Sequence, residues 1–365
     1  MKIKTITCHE VYNHGASLQE YALLAFLNQN GFEAATIHYK PPYLSHHFKL
    51  NSVSPKFDKP LLKQLYLLLK LPGRLRDLKR KKAFDSFAKK YIPTDSKLYT
   101  NNEELQLDLP EADAFICGSD QIWNSFFQNG KDAAFYLDFV PVGKLKISYA
   151  ASFAIDSLED SLKPFVKEKV SKIDFVSVRE TSGVRILNEL GLENAIQVLD
   201  PVFLIDADHW KTKFVTNVNS DYIFIYDFDS NPMIEKIAKN MATQNNLKIF
   251  TVNSNINYAD QNFYLDGPEK FLSLMYHAKF VITNSFHSVA FSLIFEKQFV
   301  VVNRTEAINT RMRDLLGLFG LNNLLVSKEK EVKGLVLVDY ATIQEQKEKA
   351  IDRSKFFLMS SLQSK

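Results

Sequence analysis

Short apolar runs alternate with longer stretches of helical periodicity along most of the chain. The first run, residues 3–8 (IKTITC), is rich in β-branched side chains. A polar turn holding Asn13 and Gly15 follows, then a helical stretch over about 17–30 and a second run, ATIHY, which together predict one βαβ unit. AFIC ending at Cys117, KISYAAS at 146–152 and DFVSVRE at 174–180 are further buried-strand candidates. The rhythm breaks at 200–210 (DPVFLIDADHW), where Pro201 and clustered acids interrupt it. It restarts with YIFIYDF at 222–228, a helix over about 231–245 and the strand LKIFTV. A helix after Gly267-Pro268, KFVIT at 279–283, a helix after His287 and QFVVV at 298–302 complete the second series. Strands separated by helices predict parallel sheets covered on both faces. The expectation is therefore an α/β protein of two Rossmann-like, doubly wound domains, 1–205 and 206–340. An amphipathic helix within 341–365 closes the chain and crosses back to the first domain.

Composition narrows the classes. A length of 365 residues suits two domains, and 46% hydrophobic with 24% charged residues suits a soluble globular core. With 29 Phe and only 12 Gly, collagen-like and low-complexity designs are excluded and thick helix-on-sheet packing is expected. The net charge, 45 − 42 = +3, is too weak to make nucleic acid a partner. Cys8 and Cys117 both fall in apolar runs, which predicts reduced core thiols rather than a disulfide or a metal cluster. No leader-like apolar segment and no run of about 18 apolar residues occurs, so a cytoplasmic location is expected.

Ligands of open α/β sheets collect where loops leave the carboxyl ends of strands, and four such places hold candidate chemistry. In NHGASLQEYAL (13–23), Ser17 can cap the helix while Asn13, His14 and Gly15 border a cleft that favours an anion; a plain turn is the alternative. ICGSDQIWN (116–124) offers Gly118, Ser119, Asp120, Trp123 and Asn124. Trp123 can stack on a sugar ring or pack beneath the loop, and Asp120 can take a hydroxyl proton or cap a helix. In FVSVRET, Arg179 presents a planar fork for phosphate or carboxylate, or pairs with an acidic neighbour such as Glu180. FVITNSFHSVAFSLIF (280–295) ends a buried strand in Thr283-Asn284-Ser285 and starts a helix near His287 and Ser288; an imidazole held there can titrate near neutrality. Arg304, Arg311 and Arg313 follow as a second set of anion-binding forks, or as solvated surface. The D-x-D strings Asp206-Asp208 and Asp227-Asp229 are too short to assign a metal, and neither a P-loop nor a G-x-S-x-G elbow is present. Residues 61–91 carry ten Lys or Arg against Asp77 and Asp85 among many Leu. That suits a helix on an anionic membrane surface, or a solvated helical hairpin.

The N-x-G-A-x-L-Q-x-Y-A-L start, the G-S-D-Q-I-W-N loop, the S-V-R-E strand end, the D-P-V-F segment and the S-F-H-S-V-A-F-S helix, in that order over residues 1 to about 320, together resemble the polysaccharide pyruvyl transferase family. The resemblance implies a GT-B-like fold with its site in the cleft between the two domains. It implies transfer of a pyruvyl group from phosphoenolpyruvate to two hydroxyls of a sugar, giving a cyclic ketal on an exopolysaccharide, capsule or cell-wall glycan precursor, with no cofactor. His287 would be the general acid, Arg179 a donor-binding residue and Arg311 the later basic position that holds the donor; Asp120 is the candidate base. The expected partners are phosphoenolpyruvate and a sugar or lipid-linked oligosaccharide, with peripheral contact at the inner membrane face. One position departs from the family pattern: many members carry Arg two residues before the histidine, where this chain has Ser285. Either Arg304 or Arg313 supplies that charge, or the donor differs. The rival readings are a GT-B glycosyltransferase using a nucleotide sugar and a non-catalytic glycan-binding protein.

Overall fold

A computed structural model describes residues 1–44, 60–304, 310–328 and 337–364. The first half runs β1 (Lys2–Ile6), α1 (His14–Gln29), β2 (Glu33–Thr36), α2 (Pro60–Tyr91), α3 (Asn102–Leu107), β3 (Ala114–Cys117), β4 (Leu145–Ala151), α4 (Lys163–Val170), β5 (Phe175–Val178), α5 (Thr181–Glu189) and β6 (Ile196–Gln197). Its strands form one sheet in the order β2-β1-β3-β4-β5-β6, every pair parallel. The second half runs α6 (Ala207–Phe214), β7 (Tyr222–Tyr226), α7 (Pro232–Asn245), β8 (Lys248–Thr251), β9 (Gln261–Asn262), α8 (Pro268–His277), β10 (Phe280–Thr283), α9 (Phe286–Ile294), β11 (Phe299–Val302), α10 (Thr310–Leu318), β12 (Leu325–Val326) and α11 (Tyr340–Gln363). Here the order is β12-β11-β10-β7-β8-β9, again parallel throughout. Strands such as AFIC in β3 and YIFIY in β7 are buried at every position, as a sheet covered on both faces requires.

Two parallel sheets with helices on their faces give the two-domain, Rossmann-like and GT-B-like fold. Strand order reverses between β1 and β3 in one sheet and between β7 and β10 in the other, which opens a crevice at each switch point. The halves share an aromatic core. The Tyr21 ring of α1 meets Trp210 and Phe214 of α6 at 5.5 and 5.1 Å, and Phe87 of α2 meets Phe214 at 5.8 Å. The abundant Phe is thus spent on the seam between domains as well as within them.

Local differences from the sequence reading have simple causes. Asn13, not Ser17, caps α1: its Oδ1 accepts from the amides of Gly15 and Ala16 at 3.0 and 3.3 Å, so the helix begins at His14. Ser285 caps α9, which puts His287 inside the first turn rather than before it. Residues 60–91 form one helix running through Pro72, not a hairpin. After Pro201–Leu204, a 3-10 turn capped by Asp200, the chain passes into α6. Helix α11 lies on the first sheet, where Ser354 Oγ accepts from the Leu199 amide at 2.9 Å and Phe357 packs near Tyr149. Among the described residues no helix is long and apolar enough to cross a membrane.

Candidate functional site

His287 stands on α9 at the β7/β10 switch point, yet the groups around it come from the first domain. Its Nε2 lies 3.5 Å from Asp200 Oδ2, just after β6. Its ring lies so close to α1 that a Cβ built on Gly15 would be 2.0 Å from Nδ1. Only hydrogen at position 15 permits that approach, which is the physical reason for the glycine.

Asp200 organises the centre. It is fully buried, and its Oδ2 accepts from Arg179 Nη1 at 2.5 Å and from Ser119 Oγ at 3.3 Å, while Oδ1 accepts from the Val202 amide at 3.1 Å. Burial acts to raise its titration, but His287, Arg179 and the Val202 amide outweigh that and hold the carboxyl well below the usual carboxylate range. It stays ionised, a fixed counter-charge for the Arg179 guanidinium beside the His287 ring. The sequence reading took Asp200 as a mark of the domain break and, within D-P-V-F, as one part of the resemblance, with no role of its own at the site. The signal was the D-P-V-F string, whose Asp both caps the turn and faces inward.

Arg179 follows β5 and Arg311 lies in the first turn of α10; both are nearly buried. Their guanidinium groups flank one ring, Phe286, at 4.3 and 5.9 Å from its centroid. Arg179 Nε and Nη2 and Arg311 Nε are buried without a hydrogen-bond partner. Burial, then the neighbouring Arg179 and Arg304 charges, pull Arg311 down to about 9 from its ordinary value. Turned so that its amide oxygen faces Arg311, Gln121 accepts from Nη1 and Nη2 at 3.3 and 3.2 Å. Glu180, also buried, is raised above the usual carboxylate range by that burial despite Arg179 and Arg311; its Oε1 accepts from Ser152 Oγ and the Ala154 amide. Such a group of desolvated, incompletely satisfied cations is chemically suited to a small multiply charged anion.

The remaining candidates divide. Arg304 donates from Nε to the Asn284 carbonyl at 2.9 Å and lies over Phe228, close enough to Arg311 to perturb it. Arg313 faces away and pairs with Asp156 and Asp314 at 2.9 and 3.0 Å, tying α10 to the first domain. Of the two, only Arg304 sits with the cationic cluster. Asn284 bridges Asp227 and Asp229, donating from Nδ2 at 2.7 and 2.6 Å. Burial and the Asp229 contact push Asp227 up to about 6. Asp120 adopts a left-handed conformation (φ 64°), with Oδ1 3.9 Å from Arg179 Nη2. Gly118 has φ 120°, and a Cβ there would strike the Tyr149 carbonyl at 2.1 Å. The Ser119 amide donates to Gln19 Oε1 and its Oγ to the Ala150 carbonyl, tying the loop to α1 and β4.

Trp123 is a correction. It is fully buried, stacked on Tyr136 at 5.3 Å, with Nε1 donating to the Phe135 carbonyl, so its ring is a core element rather than a platform for sugar. Asn124 and Ser288 are buried as well; Asn124 stiffens its loop through the Phe126 amide, and Ser288 Oγ meets the Met275 sulfur. Ser17 borders a small cavity with His9 and Glu20 on another face of α1. His14 is buried, stacked on Phe271, and held neutral by burial and by Arg80. Among the described residues His9, Glu10 and His38 bring possible metal-ligand atoms within 4.8 Å of one another. Glu10 is already paired with Lys40 and His9 Nδ1 with Glu20, so this cluster is satisfied as an ion-pair network. Cys8 and Cys117 are free and buried.

A model of the family described as polysaccharide pyruvyl transferase matches residues 13–306. No curated protein sequence matches the chain at a significant level. Among solved structures, the fold is similar to a UDP-N-acetylglucosamine 2-epimerase from Rickettsia bellii, with a TM-score of 0.52 and 12% identity over 100% of this chain and 96% of that one. A UGT89C1 structure from Arabidopsis thaliana complexed with quercetin gives a TM-score of 0.48 and 10% identity over 97% and 95% of the two chains. At 12% identity the first of these likenesses concerns fold alone.

Proposed function

Because the chain belongs to the polysaccharide pyruvyl transferase family, we propose that it transfers the pyruvyl group of phosphoenolpyruvate to two hydroxyls of a glycan precursor, with His287 as general acid. The observation that carries this reading is that His287 and Arg179 meet on one buried carboxylate, Asp200, among guanidinium nitrogens that are buried without a hydrogen-bond partner, Arg179 Nε and Nη2 and Arg311 Nε. Phosphoenolpyruvate brings a carboxylate and a phosphate on one enol carbon, two anionic groups for two cationic forks. Gripping both fixes the methylene carbon relative to the imidazolium.

The chemistry then follows from charge. A proton passes from His287 to the methylene carbon, and the neighbouring carbon becomes oxocarbenium-like. One sugar hydroxyl attacks it. Phosphate leaves, with Arg311 and Arg304 offsetting its charge, and the second hydroxyl closes the ketal. One hydroxyl proton restores the imidazolium and the other leaves with the phosphate, so the sum is one ketal and one inorganic phosphate. Asp120, on the loop after β3, is our candidate for removing a hydroxyl proton. Asp200, 3.5 Å from His287 Nε2 and bonded to Arg179 Nη1, holds the imidazole and that guanidinium on one carboxylate.

The test is phosphate release from phosphoenolpyruvate with a panel of sugar acceptors, for the native chain and His287→Ala. Loss of release in the variant, with phosphoenolpyruvate still raising its unfolding midpoint, supports the assignment. Stabilisation by a nucleoside diphosphate and none by phosphoenolpyruvate would favour a nucleotide-sugar transferase instead.

A further inference from the structure

The second half of α2 is part of the core: Arg80, Phe84 and Phe87 are buried. The first half is not. Leu65, Leu68, Leu69 and Leu75 are 55%, 67%, 73% and 51% exposed. At 100° per residue these four fall within about one third of the helix circumference, together with Pro72. Continued toward the C-terminus, the same stripe carries Arg76 and Lys79, with Lys82 at its edge, while Lys70 and Arg74 lie on the opposite side of the helix. The acid in this part of the helix, Asp77, is turned inward and accepts from Tyr264 Oη at 2.8 Å. The outward face is therefore leucine followed by cations, with no carboxylate on it. A solvated helix does not place four leucines in a row toward water, and a helix meant for another protein's acidic groove does not need so wide an apolar stripe.

We propose that residues 64–82 of α2 lie flat on an anionic phospholipid bilayer, the leucines at the acyl boundary and Arg76, Lys79 and Lys82 among the headgroup phosphates. The helix leads straight to the site described above. Arg80 donates to the Tyr12 carbonyl in the first domain at 3.1 Å and to the Tyr264 carbonyl in the second at 2.5 Å. Phe84 packs on His14, the residue before Gly15. An amphiphilic acceptor held in the bilayer would reach the cleft along this helix. That last point rests on the proposed pyruvyl transfer; the docking does not.

Flotation of the full chain with vesicles tests the docking without reference to turnover. Vesicles of phosphatidylglycerol and phosphatidylcholine should carry the protein up, pure phosphatidylcholine should not, and raised salt should release it, since each lysine or arginine at the surface contributes about fivefold in partition. Leu68→Glu/Leu69→Glu should lower binding to the mixed vesicles at least about tenfold while leaving the unfolding midpoint and phosphate release with a soluble acceptor unchanged. Binding that is absent from anionic vesicles, or equal in the variant and the native chain, overturns the proposal. So does a concentration-dependent dimer abolished by the same variant, which would make the face a contact between copies. Failure of phosphate release with docking intact would instead count against the reaction alone.

Discussion

Replacing Gly15 by alanine adds one methyl group, and the structure states where it goes: 2.0 Å from His287 Nδ1 and 2.2 Å from Cγ. Ordinary contact begins near 3.4 Å, so the imidazole must retreat by more than an ångström, or α1 and α9 must part by as much. The helix itself gains from the change, since alanine is favoured over glycine by about 1 kcal/mol in a helix. A misplacement of about 1 Å costs on the order of 10²-fold in rate, and losing general-acid catalysis entirely costs about 10²- to 10⁴-fold. Gly15→Ala is therefore expected to fold, to bind phosphoenolpyruvate through the untouched Arg179 and Arg311, and to turn over about 10²-fold more slowly. Phosphate release gives the rate, and the ligand-induced shift in unfolding midpoint gives the binding. A variant with near-native turnover would refute the reasoning, because the ring could not then work from the place it occupies against α1.

Other expectations follow from the same groups. Asp200→Asn leaves the Arg179 charge buried without its counter-ion, so urea denaturation near pH 7 should show a loss of about 3–5 kcal/mol. Since the Asp200 carboxyl is depressed in the fold, its contribution is complete above the unfolded value of about 3.9 and disappears only as pH falls further; a gap that closed already at about pH 5 would contradict this. Arg311→Met removes a desolvated charge, so the ligand-free protein should melt higher. It should also lose the stabilisation by phosphoenolpyruvate expected of the native chain, about 2.7 kcal/mol at a hundredfold excess over Kd. Asp227, raised to about 6, binds a proton in the fold more readily than in the unfolded chain, so its share of stability should decline as pH rises from about 4 to about 6. Asp229→Asn should flatten that slope in unfolding free energy against pH.

The alternation of apolar runs and helical stretches made the two sheets legible, because parallel strands buried on both faces must be nearly continuous in apolar residues. Strand ends made Arg179 and His287 legible for the same geometric reason. What local pattern could not convey was proximity between elements distant in the chain. Asp200 matters because the end of β6 meets α9, and Gly15 matters because α1 meets the same ring; neither string announces the other. Arg304 and Arg313 look equivalent in sequence, and only the direction of α10 and the presence of Asp156 separate them. Trp123 could be read either as a sugar platform or as packing beneath its loop; Gln121 and Asn124 serve the loop while the indole turns inward onto Tyr136. Ser17 lost its capping role to Asn13, four residues earlier, by the choice of where the helix begins.

His287 belongs to one half of the molecule, while the carboxylate beside it and the helix it leans on belong to the other. If His287 is the proton source we propose, that source is an interlock: the ring and its neighbours come together only while the two lobes are shut. With the lobes apart, the ring would lose both the carboxylate beside it and the wall that aims it, and under the proposed reaction a donor meeting the protein alone would be spared wasteful hydrolysis.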